Sequence, residues 1–565
     1  MYVSKNSKSE TWVVRSLKDK HKCLTSRYIK QCTYKYLSTT LVNDLATNPK
    51  IPIKAAKARF ESELEVRVHR MKAFRALKEA QKKIQGDYAE QYTVLRDYVE
   101  ELLRCYPGST IKLDVESGNL RSKTRVFKRI YICLSVLKRG FKSIGRDFIG
   151  VDGAFMKEPA TGQMLTAVGL DSNNEIYPVA YAIVEQETTN SWTWFLELLA
   201  ADLELNELSN FTFMSDRQKG LINAVEKVFP VAEHRFCLRH IQENMKKKWN
   251  GKAYKNHLWS CATATTVPEF ERAMSVLKEF NKDCYKFLAD IPPRQWARSH
   301  FTGRAVTDIL LNNMCEVLNR WLVDARDKPI ITALEYVREY LMKRIVNVLG
   351  KCKNNDQLLT PYATKQFEVI KKEASKLTVL WSGSQQYQVN GPHGEQVAVD
   401  FGNKECACRK WEITGIPCKH VVAALYNLNA NDDQVGPPDE VGAPEHWVHP
   451  VYRMDTWKNT YTFTINPVNG RSMWPKSNVP YTLMPPKKIA RAGRPKKNRR
   501  KGLEEKDNIS KDGRLSKKGI IMQCSNCKEY GHNKRGCSNG GTSGTSKKRT
   551  RNASTSGTSK KKSKN

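Results

Sequence analysis

"FIGVDGAF", Phe148 to Phe155, is the stretch on which the fold of this chain turns. Its first four residues, ending in Val151, have the make-up of a buried strand, and Asp152 follows at the carboxyl end beside Gly153. Strands of this kind commonly end in polar turn residues, so Asp152 gains weight only from its surroundings. Two strand-like runs come next, "QMLTAVGLDSN" and "IYPVAYAIVEQE", joined at Asn173 and Asn174 and expected to form an antiparallel pair after the first strand. A helix follows, its start marked by Thr188, Thr189 and Asn190, with Trp192, Trp194, Phe195, Leu198 and Leu199 as its buried stripe. Then "FTFMSDRQKGLINAVEKVF" repeats the opening arrangement: a short apolar strand, Asp216 and an amphipathic helix. Two strands that deliver an aspartate at the same end set both carboxylates at one rim of a sheet, where together they can hold divalent ions.

A catalytic trio needs a third acidic group. Glu316 in "DILLNNMCEVLNRWLVDARDKPI" is the candidate, on a helix whose apolar positions Leu310, Met314, Leu318 and Leu322 leave Glu316 on a different side. By spacing alone such a residue is a solvated helix glutamate. Residues 251–301, between the second aspartate and Glu316, are mostly helical in pattern and read as an insertion. Upstream, from about Ser62 to Cys105, the spacing is helical, with Tyr92, Leu95, Tyr98, Val99 and Leu102 as a packing face and a stop at Pro107 and Gly108. Strand-like "TRVFKRIYICLSV" then leads into the opening stretch.

Composition narrows the class of partner. The chain has 565 residues, room for roughly two to four domains. Its net charge of +37 predicts a polyanion, and with no lipid-facing segment in the sequence nucleic acid fits better than a membrane. The opening "MYVSKNSKSE" has no apolar signal-peptide core and no run approaches a membrane span, so a soluble intracellular protein is expected. The 15 cysteines include two tight clusters mixed with histidine, which in a reducing compartment points to zinc and not disulfides.

The first cluster is "CACRKWEITGIPCKH", with Cys406, Cys408, Cys418 and His420 as ligands. Alternation along an extended segment puts Cys406 and Cys408 on one face, and the second pair stands where "CKHVVAALYNL" begins a helix, so four soft ligands can close a tetrahedral Zn²⁺. Such a module binds DNA or protein, or simply staples a small domain; zinc supplies folding energy in either case. The second is "CSNCKEYGHNKRGC", with Cys524, Cys527, His532 and Cys537, where Gly531 permits the tight turn that brings late ligands back to early ones. There Tyr530 can stack an unpaired base while Lys528, Lys534 and Arg535 meet phosphates. Near the start, His21 and Cys23 form an H-x-C pair with only Cys32 nearby, which reads as an unmetallated remnant. From Pro485 onward 25 lysines and arginines face 5 acidic residues, so over half of the excess charge lies in a tail expected to be disordered.

Four blocks resemble the transposase domain of the plant Mutator-like element (MULE, MuDR) family: "FKRIYICLSVLKRGFKSIGRDFIGVDGAF", "MLTAVGLDSNNEIYPVAYAIVEQE", "SDRQKGLINAVEKVFPVAEHRFCLRHIQENM" and "NNMCEVLNRWLVDARDKPIITALEYVREY". The resemblance implies an α/β, ribonuclease-H-like core with a helical insertion, in which Asp152, Asp216 and Glu316 occupy the three catalytic positions and bind two Mg²⁺ or Mn²⁺ ions. It implies a DDE-type DNA transposase that cuts transposon termini and joins them to target DNA, working as a homo-oligomer in the nucleus. Cys237 and His240 match a C-x2-H pair of the family; by chemistry alone Cys237 is a buried core thiol, and ligand and structural roles both stand. The Cys406 to His420 pattern resembles the SWIM zinc finger, and Cys524 to Cys537 the CCHC zinc knuckle, a binder of single-stranded nucleic acid. The run from Arg491 to Lys501 resembles an AT-hook, with Arg494, Lys496 and Lys497 against DNA; it also reads as a nuclear localisation signal, the favoured use and one compatible with the first, with a solvated basic linker as the plain alternative.

Relatives begin with a complete zinc-finger DNA-binding domain, and only His21 and Cys23 match its end here. A second reading therefore stands: a transposase-derived, catalytically silent DNA-binding regulator or relic. The expected organisation is a zinc-finger remnant (1–45), a helical linker region (46–140), the transposase domain (141–350), a SWIM-type finger (385–430), a basic linker (485–522), a zinc knuckle (523–538) and a basic tail (539–565).

Overall fold

Eight strands build the central sheet of the computed structural model: β1 (Thr110–Val115), β2 (Thr124–Cys133), β3 (Phe148–Phe155), β4 (Gln163–Leu170), β5 (Ile176–Val184), β6 (Thr212–Ser215), β7 (Glu233–Phe236) and β8 (Thr482–Met484). The structure describes residues 2–7, 11–17, 29, 31–48, 51–85, 88–116, 123–157, 162–353, 355–392, 394–430 and 443–486. His21 and Cys23, the basic run with Arg494, Lys496 and Lys497, the cluster of Cys524, Cys527, Tyr530, His532 and Cys537, and the tail lie outside these residues.

The sheet runs β8-β2-β5-β4-β3-β6-β7, with β1 also beside β2. Its middle is antiparallel from β2 to β3, while β6 and β7 join β3 in parallel. Every residue of β4 and β5 is buried, which explains why they read as near-continuous apolar runs. The turn between them is set by Asp171, whose Oδ1 accepts from the backbone N–H groups of Asn173 and Glu175, with Asn174 at φ 57. The helix Ser135–Ile144 packs against β5 and stops at Gly145, whose φ of 69 suits glycine in a left-handed cap. The helix Thr189–Leu203 starts, as expected, at Thr188, through a capping box with Ser191. Its buried face is Trp192, Phe195, Leu196 and Leu199, with Trp194 and Leu198 at the edge.

Asp152 differs in its setting from the expectation. The strand does not end at Val151: residues Asp152 to Phe155 go on pairing with β4, whereas β6 pairs only with Phe148 to Gly150. Asp152 thus lies inside β3, just past the point where its parallel neighbour stops. The helix bearing Glu316 is Asn313–Trp321, shorter than its apolar spacing implied. Leu310 belongs to the irregular lead-in and packs into a different core, and Leu322 falls in a 3-10 turn.

The expected linker region also divides. Helices Tyr34–Thr47, Ile53–Glu63 and Arg70–Gln85 share a core of their own that includes Leu37, Leu41, Phe60 and Leu77, and Cys32 is a buried thiol within it. By contrast, Tyr98 and Leu102 of the helix Leu95–Cys105, together with Phe127, Ile130 and Ile132 of β2, belong to the main core. The β1–β2 hairpin is part of the sheet because β2 pairs with β5. Residues 251–301 are helical and share a separate core with the helix Leu238–Met245, around Leu258, Phe270, Leu277, Leu288 and Trp296.

A second, antiparallel sheet (Thr378–Trp381, Gln386–Asn390, Gln396–Asp400, Glu405–Cys406) is backed by the helix Lys419–Ala430. Beyond it, residues 443–486 return to the main unit. Trp457 and Tyr461 are buried and both donate to Asp171 Oδ2, at 3.0 and 2.8 Å, and β8 ends the return alongside β2. Among the described residues no helix is long and apolar enough to cross a membrane.

Candidate metal centres

The register of the parallel strands sets the first site. Gly150 is level with Met214, so carrying that pairing two residues on brings Asp152 opposite Asp216. Ser215 is level with Phe236, so the next residues across are Asp216 and Cys237. Asp152, Asp216 and Cys237 therefore stand in one row, where β6 and β7 run out beside the continuing β3, a row no single stretch of sequence displays.

Each carboxylate in the row is held. Asp152 Oδ1 accepts from its neighbour Gly153 N at 3.0 Å, and Oδ2 from Asn319 Nδ2 at 2.8 Å. Asp216 Oδ1 accepts from Gln218 N at 3.1 Å, at the start of the helix Lys219–Val228. Burial, reinforced by the charge of Asp216 and to a lesser degree Glu187, pushes the Asp152 carboxyl up to about 7. His240 goes the other way for a histidine under burial: the Cys237 sulfur beside it, and then the nearby Asp216 and Asp152, push it up to about 9. Burial resists ionisation of the Cys237 thiol, yet the neighbouring His240 and the Asn312 N–H, which donates to Sγ at 3.2 Å, prevail and lower it. The C-x2-H pair is thus a polar couple facing the aspartates and not only a buried thiol.

Glu316 reaches the neighbourhood by a different route. It lies one helical turn before Asn319, which touches Asp152, while its own carboxylate is paired with Arg239, the residue next to His240. Glu187 is a carboxylate that sequence reasoning passed over. Burial and the charge of Asp216 raise its pKa, and its Oε1 accepts from Trp192 Nε1 at 3.3 Å. Its sequence setting, a glutamate just ahead of a capped helix, is that of any solvated residue.

The second centre is more compact. Donor atoms of Cys406, Cys408, Cys418 and His420 lie within 4.8 Å of one another; no acidic set among the described residues is so tight. Cys406 Sγ stands 3.4 Å from Cys408 Sγ, 3.5 Å from Cys418 Sγ and 3.7 Å from His420 Nδ1. Bonds of about 2.3 Å to sulfur and 2.0 Å to nitrogen give a zinc tetrahedron edges of about 3.5–3.8 Å, so the four donors fit Zn²⁺. The strand ends at Cys406, and a turn at Ala407 and Cys408, closed by the Arg409 N–H donating to the Cys406 carbonyl at 2.7 Å, not alternation along an extended segment, brings Cys408 alongside. The second pair opens the helix Lys419–Ala430, as expected. On the far side of the ring, His420 Nε2 meets Glu395 Oε1 at 2.9 Å, and Lys419 pairs with the other oxygen of Glu395. A carboxylate there fixes the tautomer that leaves Nδ1 free for the metal.

The zinc module is tied to the rest of the chain: the Arg409 guanidinium donates to the carbonyls of Ser299 and Phe301, at the end of the helical stretch that precedes Glu316. Comparison with known proteins agrees with this division. Residues 148–244 match the MULE transposase domain and residues 395–429 the SWIM zinc finger, so the chain carries both. Protein FAR1-RELATED SEQUENCE 5 of Arabidopsis thaliana is 22% identical over 300 residues, 46% of this chain and 37% of its own length. Protein FAR1-RELATED SEQUENCE 6 of the same plant is 21% identical over 357 residues, 55% of this chain and 48% of its own length. The chain thus matches less than half the length of these relatives.

Proposed function

We propose, from a MULE transposase domain and a SWIM zinc finger carried in one chain, that this protein binds DNA and cuts and rejoins the phosphodiester backbone at transposon ends. Asp152, Asp216 and Glu316 would hold Mg²⁺ or Mn²⁺ on a ribonuclease-H-like core. The observation that carries this reading is the row of Asp152 and Asp216, in which burial and mutual repulsion push Asp152 up to about 7. Apposed carboxylates with such a penalty fit a divalent cation, and hard oxygen donors suit these ions. The buried Oδ1 of Asn319, beside Asp152 and without a hydrogen-bond partner, fits as well. When bound, such ions lower the pKa of the attacking hydroxyl and stabilise the leaving oxygen.

The chain's own groups supply the rest. Asn319 and Gly153 fix the orientation of Asp152, and the His240 cation places positive charge where a DNA phosphate would approach. The SWIM finger adds a zinc-stabilised surface next to the helical stretch. The basic tail would favour nuclear import and backbone contact through Arg494, Lys496 and Lys497, and Tyr530 in the knuckle would stack on unpaired bases. Assembly into a homo-oligomer belongs to the same proposal.

The test is a nicking and strand-joining assay on matched terminal repeats with Mg²⁺ or Mn²⁺. Wild-type protein is expected to cut and Asp152→Ala to be inactive; equal activity in the two removes Asp152 from the site. One observation favours a second reading, a DNA-binding regulator without cleavage: Glu316 is engaged by Arg239 and not by the aspartates. Wild-type protein that binds such DNA and never cuts it decides for that alternative.

A further inference from the structure

Resting on the divalent-cation reading just given, we infer that Glu187 is a ligand of the same site, the third carboxylate beside Asp152 and Asp216. The strand pairing explains how it gets there. Chain leaving β5 turns into the helix Thr189–Leu203 at Thr188, and that corner passes over β3 at Gly153. A Cβ on Gly153 would stand 2.9 Å from Glu187 Cδ and 3.0 and 3.1 Å from its two oxygens. The absence of a side chain at this one position lets the carboxyl lie against the strand at Gly153, the neighbour of Asp152, where its charge is felt by Asp152.

The corner is pinned from two sides. Trp192, fully buried, donates its indole N–H to Glu187 Oε1 at 3.3 Å. Gln218 Nε2 donates to the backbone carbonyl of Glu187 at 3.2 Å, and the N–H of the same Gln218 donates to Asp216. Glu187 and Asp216 are therefore positioned by a common residue, two residues past the aspartate. Among the described residues no cation is paired with Glu187, whereas Glu316 is already paired with Arg239.

A group of carboxylates alone would not define a site, because repulsion can simply be tolerated at a solvated rim. The second observation is Asn319. It is 9% exposed, donates to Asp152 Oδ2, and its own Oδ1 is buried with no hydrogen-bond partner. An orphaned carbonyl oxygen on the residue that holds Asp152 is an acceptor in need of a positive partner, and a divalent cation drawn in among these carboxylates would supply it.

The experiment is an Mn²⁺ titration of the full-length, zinc-loaded protein, following free Mn²⁺ by electron paramagnetic resonance, so that cleavage plays no part in the readout. Asp216→Asn provides the background from sites elsewhere. Glu187→Gln keeps the size of the side chain and an oxygen for Trp192, and it is expected to weaken the Asp216-dependent binding at least about tenfold. Gly153→Ala keeps every carboxylate but displaces that of Glu187, and it is expected to weaken binding in the same direction. Far-UV circular dichroism and zinc content equal to wild type confirm that both variants fold. If Glu187→Gln and Gly153→Ala bind Mn²⁺ as wild type does, the inference is overturned while the divalent-cation site stands. If wild type shows no Asp216-dependent binding, the reading beneath it falls and takes this inference with it.

Discussion

Asp152 is held in a place where burial and a neighbouring carboxylate both oppose its ionisation, and this has a thermodynamic signature. Its folded pKa of about 7 lies above the value of about 4 in an unfolded chain, so between these pH values the folded protein binds the extra proton. Stability contributed by this group is therefore present at low pH and lost as pH rises from about 4 to about 7. Asp152→Asn should remove that slope and raise stability at pH 7.5, without added Mg²⁺, by about 1–3 kcal/mol, measured by urea unfolding across the pH range. A second prediction concerns zinc. Glu395→Ala leaves all four ligands but frees the ring of His420, and zinc affinity should fall about 10–100-fold in a chelator competition, whereas Lys419→Ala should change it far less. The zinc ligands could be read from the sequence because all four lie within fifteen residues at ligand spacing. Asp152 and Asp216 were legible because each follows an apolar strand run. Glu187, Asn319 and Glu395 were not, since their roles depend on partners brought in by folding; Asn319 touches a residue 167 positions away.

Elements were more legible than the joints between them. Buried strands such as β4 and β5 and capped helices such as Thr189–Leu203 announce themselves by composition and by Thr188. The Asn313–Trp321 helix is shorter than its apolar spacing implies, because Leu310 shares that spacing while serving the core of the helical stretch. The zinc module shows what a joint can do. Arg409, next to the ligand Cys408, holds the carbonyls of Ser299 and Phe301, and Gly303 lies so close to Glu412 that a Cβ would meet its carbonyl oxygen at 2.8 Å. Loss of zinc should therefore be felt outside the finger. In Cys418→Ser protein, amide hydrogen exchange is expected to speed up at residues 410–425 and also at 298–303, while the β4–β5 pair keeps its protection. Faster exchange confined to the finger would show the joint to be weak.

For the molecule as a whole, the least expected feature is the return of residues 443–486 to the main unit. They lack a regular apolar period, so nothing in their sequence announced a partner, yet Trp457 and Tyr461 converge on Asp171 from 286 and 290 residues away. Asp171→Ala would strand two buried donors, and a loss of about 2–4 kcal/mol is expected, with trypsin gaining access to residues 443–486 before the rest of the chain. A finger and a transposase domain treated as separable pieces would miss this clamp, because the chain that leaves the finger helps close the other unit.

β8 carries that closure to its end. The strand that flanks Thr124 to Val126 lies about 360 residues further along, so synthesis from the amino terminus leaves that part of β2 an open edge until the zinc module and everything after it have emerged. The closure is of the long-range kind that folds slowly. A messenger cut short anywhere before Thr482 would then yield a chain whose sheet offers its free edge to other chains, which makes such products candidates for chaperone retention and aggregation in place of simple truncated domains.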